Sequence, residues 1–236
     1  MPEPADRVAE LQGYHDREVA PCTRCALHRT RTQVVVGSGA LDADLMFVGE
    51  APGYHEDQQG IPFVGQSGQL LTTLLEGIGL TRDQVFVANV LKCRPPGNRD
   101  PAPAEIRSCE PHLFRQVSLI RPRMVCTLGN FATKLLSGRP DGISRVHGHE
   151  LPIEVGGHRL LLYPLFHPAA ALYTRAMLST LEADFARIPE LLGGAAPASA
   201  SAGPAAATPV PVPVEAAPPP PAPPVAPPAD EQLGLF

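Results

Sequence analysis

Four short apolar runs rich in β-branched and aromatic residues punctuate the first 170 residues: DLMFV at 44–48, VFVANVL at 85–91, MVCTL at 124–128 and LLLYPLF at 160–166. Runs of this length predict strands, and their near-continuous apolar character suits a sheet covered on both faces. Helical patterns lie between and after them. Leucines recur at helical spacing over 69–78, and the stretch 102–120 opens with Pro103 and Glu105, as helix starts often do. A short pattern covers 130–136, and another covers 169–191 after the last strand. The segment 147–166 alternates and contains Gly156-Gly157, which predicts a hairpin entering the fourth strand. Strands alternating with helices predict an α/β fold, a three-layer α/β/α sandwich around a central, mostly parallel four-stranded sheet.

In such sheets ligands bind beyond the carboxyl ends of the strands. The unusual residues fall there: a glycine-rich loop after the first strand, Lys92-Cys93-Arg94-Pro95-Pro96 after the second, Gly129-Asn130 after the third and His167-Pro168 after the fourth. A site on that rim is expected whatever its chemistry.

Composition divides the chain. From 193 to 229 it is almost wholly Ala, Pro, Val, Ser and Gly, with Glu215 as the one charged residue. Such a segment cannot bury enough apolar surface to offset its ordering entropy, so 191–229 is expected to be a disordered linker. Residues 1–190 are then a single domain and 230–236 a terminal peptide. The chain carries a net charge of -5; beyond 190 it holds Glu215, Asp230 and Glu231 and no Lys or Arg, leaving the domain at about -2. It is therefore no polybasic nucleic-acid binder, yet Arg24, Arg29, Arg31, Arg94, Arg99 and Arg107 lie near cysteines and keep a local contact with nucleic acid open. No apolar run is long enough for a membrane span, and MPEPADRVAE lacks the regions of a signal peptide. A cytoplasmic compartment is expected, where thiols stay reduced.

Cys22 and Cys25 form a CxxC, and Cys93 and Cys109 form a wider pair. Four thiolates could surround one metal centre, either structural zinc or an iron–sulfur cluster, and spacing does not choose between them. The alternative is a redox CxxC with two unrelated buried cysteines. Cys126, inside an apolar run, is expected in the core.

The loop VGEAPGYHEDQQGIPFVGQSGQ, 48–69, packs five glycines, two prolines and the acids Glu50, Glu56 and Asp57. It has neither phosphate-binding glycine motif, and three carboxylates would repel a triphosphate. Exposed amides, a rigid turn and Phe63 between Pro62 and Gly65 suit a flat, hydrogen-bonding ligand such as a nucleobase. Asn89 within an apolar strand needs a partner for its amide, and a ligand is the preferred one.

GEAPGYHEDQQGIPFVGQSGQLL, then VANVLKCRPPGNRDP, then FHPAAAL resemble, in order, the motifs of the family-4 uracil-DNA glycosylases, which carry a 4Fe–4S cluster. The resemblance covers roughly residues 21–189. It implies an enzyme that flips deoxyuridine out of single- or double-stranded DNA and hydrolyses its N-glycosidic bond, initiating base excision repair. By that resemblance Phe63 stacks on the base, Asn89 reads its amide edge and His167 donates to the carbonyl on which charge develops. Glu50 and the backbone of residues 50–53 hold the attacking water and the sugar. The catalytic residues are then Glu50, Asn89 and His167, and the uracil-binding set is Gly49, Ala51, Pro52, Gly53, Glu56, Phe63 and Asn89. Cys22, Cys25, Cys93 and Cys109 would ligate a structural cluster, with no other cofactor required. The superfamily's best-known branch has a water-activating Asp where this chain has Ala51 and a thymine-blocking Tyr where it has Gly53. Thymine exclusion therefore moves elsewhere, and Glu56 is expected beside uracil C5.

The chain ends in QLGLF, apolar again after the linker. This resembles the bacterial sliding-clamp-binding pentapeptide, with Gln232, Leu233, Leu235 and Phe236 as anchors on a tether that raises effective concentration. A monomer is expected. The competing functions are a covalent or tight uracil-DNA binder without turnover, a non-enzymatic clamp adaptor, and a metal-dependent phosphohydrolase. The binder resembles proteins with a basic insertion after the second strand, which this chain lacks.

Overall fold

The computed structural model describes residues 3–193. The linker beyond 193 and the peptide 230–236 lie outside the described residues. The strands are β1 (Ser38–Gly39), β2 (Leu45–Gly49), β3 (Phe86–Asn89), β4 (Met124–Leu128), β5 (Leu151–Val155) and β6 (His158–Leu165). The helices are α1 (Pro4–Tyr14), α2 (Tyr54–Gln59), α3 (Gln66–Gly77), α4 (Pro103–Ile120), α5 (Asn130–Ser137), α6 (Ile143–Val146), α7 (Pro168–Ala171), α8 (Arg175–Ala186) and α9 (Ile188–Leu191).

The strands form one sheet in the order β1-β3-β2-β4-β6-β5. Its four central strands are the four apolar runs, and they run parallel. The expected count of four is corrected to six: β5, the first arm of the expected hairpin, and β1 pair antiparallel at the two edges. The two-residue β1, Ser-Gly, has no apolar alternation to announce it. Alternation across the pleat splits the core in two. Leu45 and Phe47 of β2 pack with Leu71 and Leu75 of α3 and Phe185 of α8, whereas Met46 and Val48 pack with Leu11 of α1, Leu113 and Val117 of α4 and Leu136 of α5. Each such side chain, fully buried, contributes about 1.5–3 kcal/mol of transfer free energy. These two faces make the three layers.

The helical patterns at 69–78, 102–120 and 130–136 are α3, α4 and α5 to within a few residues. The stretch 169–191 is corrected to three helices, because the chain breaks between α7 and α8 and again at Arg187 before α9. Three of the described helices lie outside the expected stretches: α1, α2 inside the glycine-rich loop, and the one-turn α6. Cys126 is fully buried, as expected.

Candidate active site

Gly49, the last residue of β2, stands opposite Asn89, the last of β3. Past this pair the chains stay joined, because Val90 N–H donates to Gly49 O (2.9 Å) and Leu91 N–H to Glu50 O (3.0 Å). A side chain on Gly49 would put its Cβ 2.5 Å from Asn89 Oδ1 and 2.6 Å from Phe63 Cζ. Only glycine lets the amide and the ring converge there. Asn89 is 2% exposed, and its Oδ1 is buried with no partner among the described residues. An orphaned acceptor costs roughly 1–3 kcal/mol, so this oxygen marks a place where a donor is missing.

Phe63 has φ 55, a left-handed conformation that costs a non-glycine residue about 1–3 kcal/mol. Two contacts hold it. Arg82 Nη2 donates to Pro62 O (2.9 Å), and the Phe63 carbonyl sits on Gly68, where a Cβ would lie 1.7 Å from its oxygen. The Phe63 ring stacks against His167, with centroids 5.8 Å apart and planes at 28°. His167 caps α7: its Nδ1 accepts from Ala169 N–H (3.1 Å). The ring proton is then on Nε2. Burial pushes the imidazole down to about 4, against the opposing pull of Glu56. At neutral pH His167 is a neutral ring with one donor.

The three loop acids have separate positions. Glu56 Oε1 accepts from the N–H groups of Val64 and Gly65 (3.0 Å each), and its Oε2 accepts from Gly53 N–H (3.1 Å). That carboxylate clasps the two ends of the loop together, which differs from the expected wall beside a base: both oxygens are spent on backbone amides. Asp57, buried, accepts from Thr32 N–H (2.9 Å) and ties the loop to the preceding segment. The Glu50 carboxylate, unlike its main-chain oxygen, accepts no hydrogen bond from the described residues, and burial, reinforced by the charge of Asp100, raises its pKa above the usual range. Ala51 packs against the core and Pro52 is buried, so residues 51–53 enter the site as backbone.

The cysteines form a second centre. Cys93 and Cys109 are buried, Cys22 and Cys25 partly so. Cys22 and Cys25 act electrostatically on Cys93, and Cys93 and Cys25 on Cys109, so the four lie in one neighbourhood. Three sulfurs have a nitrogen within hydrogen-bonding distance. Arg31 Nη1 lies 3.3 Å from Cys93 Sγ, Lys92 N 3.3 Å from Cys109 Sγ and His112 Nε2 3.3 Å from Cys22 Sγ. Tyr14 Oη lies 2.6 Å from His112 Nδ1, so a proton donated there leaves Nε2–H for the sulfur. Burial pushes the Cys109 thiol up to about 11 and raises that of Cys93. A cationic centre is what would hold them as thiolates. No three His, Cys, Asp or Glu among the described residues are gathered to hold a metal ion. Four thiol donors, two of them buried, are a ligand set that structural zinc and iron–sulfur centres share.

The structure thus brings Gly49, Glu50, Phe63, Asn89 and His167 to one rim, with Glu56 as the clasp behind it. The sequence does not point to Gly68 and Arg82, which hold Phe63, or to His112, which reaches a sulfur, and it sets Arg31 near the cysteines only as a contact for nucleic acid. Gly68 lies five residues from Phe63 in the same loop, whereas Arg82, Arg31 and His112 act on residues distant in the chain and have no local signal. Gly129, seen only as a strand end, has φ 90 and leaves its missing Cβ 3.2 Å from His167 Cβ.

Residues 36–190 match the family model described as the uracil DNA glycosylase superfamily. The chain is 45% identical over 185 residues to a type-4 uracil-DNA glycosylase of Archaeoglobus fulgidus, covering 77% of this chain and 93% of that one. Against the type-4 uracil-DNA glycosylase of Sulfurisphaera tokodaii the identity is 45% over 179 residues, covering 74% and 81%. Against that of Thermotoga maritima it is 43% over 169 residues, covering 71% and 86%. The match spans the strand ends, both loops and His167, and by it the chain belongs to the type-4 branch of the uracil-DNA glycosylase superfamily.

Proposed function

We propose that the protein is a monofunctional uracil-DNA glycosylase that receives a deoxyuridine extruded from DNA, hydrolyses its N-glycosidic bond and leaves an abasic site for base excision repair. The observation that carries this is Asn89 Oδ1, buried and unpartnered beside Gly49 and Phe63. Uracil offers an N3–H flanked by carbonyls. The Asn89 amide can accept from N3–H and donate to the neighbouring carbonyl, while Phe63 covers one face of the ring. The His167 Nε2–H donates to the carbonyl on which negative charge builds as the glycosidic bond breaks, an effect worth about 3–4 kcal/mol in other enzymes. Glu50 and the backbone of residues 50–53, among them Ala51, Pro52 and Gly53, take the water and the sugar. A carboxyl of raised pKa is a stronger base once ionised, which suits water activation.

Uracil-containing DNA as substrate is supported by the surface. The large apolar side chains exposed among the described residues are Tyr54, Ile61, Leu172 and Tyr173. All four lie on the loop after β2 or just past His167. Cys22, Cys25, Cys93 and Cys109 are proposed to hold a 4Fe–4S cluster that contributes rigidity and no electron to the hydrolysis. QLGLF is proposed to dock a bacterial sliding clamp, and the protein is proposed to act in the cytoplasm as a monomer.

The test uses purified full-length protein on single- and double-stranded oligonucleotides carrying uracil or thymine, scored as abasic sites. The expected result is many turnovers on uracil, none on thymine, with about four irons per chain by the cluster's stoichiometry. One stoichiometric adduct without turnover would instead identify a uracil-DNA trap. Deleting residues 232–236 should abolish clamp binding and leave cleavage of a short oligonucleotide intact.

A further inference from the structure

Lys92 is 2% exposed and stands between the two centres without belonging to either. Its Nζ donates to the main-chain O of Asn89 (2.8 Å) and to Gln116 Oε1 (2.6 Å). Its own N–H donates to Cys109 Sγ (3.3 Å), and its carbonyl accepts from Val35 N–H (2.8 Å). Gln116, fully buried on α4, is oriented in turn: its Nε2 donates to Val36 O (2.8 Å) and lies 3.0 Å from His15 Nε2. A buried ammonium is expensive and tolerated only where its partners are well placed. Here one partner is the backbone oxygen of the residue whose side-chain oxygen is the orphan in the pocket.

We infer that Lys92 is a positioning residue for Asn89, an inference that rests on the uracil-glycosylase reading. Strand β3 ends at Asn89, and the peptide after it is held from two sides. On one side that peptide is held by Val90 and Leu91 reaching Gly49 and Glu50. On the other, Lys92 pulls its carbonyl towards Gln116. The amide side chain is thereby aimed between Gly49 and Phe63 instead of swinging with the turn. Because Lys92 also touches Cys109, the aim of Asn89 is referenced to the cysteine centre. Catalytic geometry is sensitive to such placement, and about an ångström of misplacement can cost 10²-fold.

Lys92→Met keeps the side chain out to its ε carbon and removes the ammonium, so the chain should fold and load iron normally. It should lose about 10- to 100-fold in the single-turnover rate on a uracil oligonucleotide, and should bind an oligonucleotide carrying 2′-fluoro-deoxyuridine more weakly by a similar factor. The deciding measurement is a double-mutant cycle with Asn89→Ala. If Lys92 works through Asn89, adding Lys92→Met to Asn89→Ala should cost less than about 2-fold more in rate and in binding. An equal loss in both backgrounds would make Lys92 a general brace and overturn the inference. Should Lys92→Met accumulate without iron, Gln116→Met, which removes the lysine's outer anchor, enters the same cycle with the same two outcomes. A wild-type protein that leaves uracil DNA uncleaved would sink the functional reading itself, a separate result.

Discussion

The pocket and the cysteine centre lie on adjoining strand ends, yet they are finished in opposite ways. At the cysteines, polar atoms are closed off: nitrogens lie within hydrogen-bonding distance of three of the sulfurs, and Arg31 also donates to Cys22 O (2.6 Å). At the pocket, Asn89 Oδ1 is left without a partner, Phe63 is held in a strained backbone conformation, and the Glu50 carboxylate accepts no bond from the described residues. Satisfied groups stabilise; unsatisfied ones wait for a ligand. The contrast favours the proposed division, structure at one centre and chemistry at the other, and it can be broken by variants that move activity and stability separately.

The largest separation should come from comparing His167→Ala with Cys109→Ala. His167→Ala removes a neutral donor at the point where charge develops, and should cut kcat about 10²- to 10³-fold with Tm changed by only a few degrees. Cys109→Ala removes one of the proposed ligands of a buried centre and should lower Tm by more than about 10 °C, taking activity with it through unfolding. Thermal melts beside single-turnover rates check both. A Cys109→Ala protein that melts like wild type but is inactive would give the cysteines a direct part in the chemistry.

Gly49→Ala should come next. Its Cβ would sit 2.5 Å from Asn89 Oδ1 and 2.6 Å from Phe63 Cζ, so either the amide or the ring must leave its place. The expected loss is about 10²-fold in kcat/KM, with stability lowered by about 1–3 kcal/mol from overpacking. Measured rates within a few-fold of wild type would show that ring and amide do not share the base.

Most of this contrast was legible in the sequence, and for a physical reason. Buried parallel strands are continuous apolar runs, so β2, β3, β4 and β6 announce themselves, and in such a sheet the carboxyl ends point to Gly49, Asn89 and His167 at once. The loop's composition then excludes phosphate and favours a base. What escaped depends on atoms brought together from afar. Arg82 reaches Pro62 O across 20 positions and Arg31 reaches Cys93 across 62, and neither has a local pattern. Glu56 is expected beside a base and accepts from three backbone amides instead, because charge and spacing carry no sign of a carboxylate's backbone partners. Strand β1 was missed because two residues, one of them glycine, carry no period.

Glu56→Ala sharpens the comparison inside the pocket itself. Losing three hydrogen bonds to a charged acceptor should cost roughly 1–3 kcal/mol after relaxation, given partial exposure. It should also free the loop joining Gly53 to Val64 and Gly65. Cleavage of uracil should fall about tenfold through kcat, because backbone that orients water and sugar is no longer fixed. Thymine should stay uncleaved if Glu56 is only a clasp. If the variant gains thymine cleavage while keeping its uracil rate, the carboxylate faces the base after all.

The smallest effect is in pH, and it cuts across the two regions. Burial lowers both His167 in the pocket and His15 beneath the Lys92–Gln116 pair to about 4, from 6.5 in the unfolded chain. Between pH 6.5 and 4 the unfolded state binds protons that the folded state refuses, so stability rises with pH across that window. It is fully present above about 6.5 and drains away as pH falls towards 4. Melting curves from pH 7.5 to 4.5 should therefore show Tm declining below about 6.5. His15→Gln should flatten part of that decline without touching the rate at neutral pH. His167→Gln should flatten another part and lose activity at every pH, since the neutral ring of His167 is already the working form. A His167→Gln protein with an unaltered pH dependence of Tm would mean that His167 titrates like a solvated histidine, and its Nε2–H would then no longer be the fixed neutral donor that the pocket's chemistry requires.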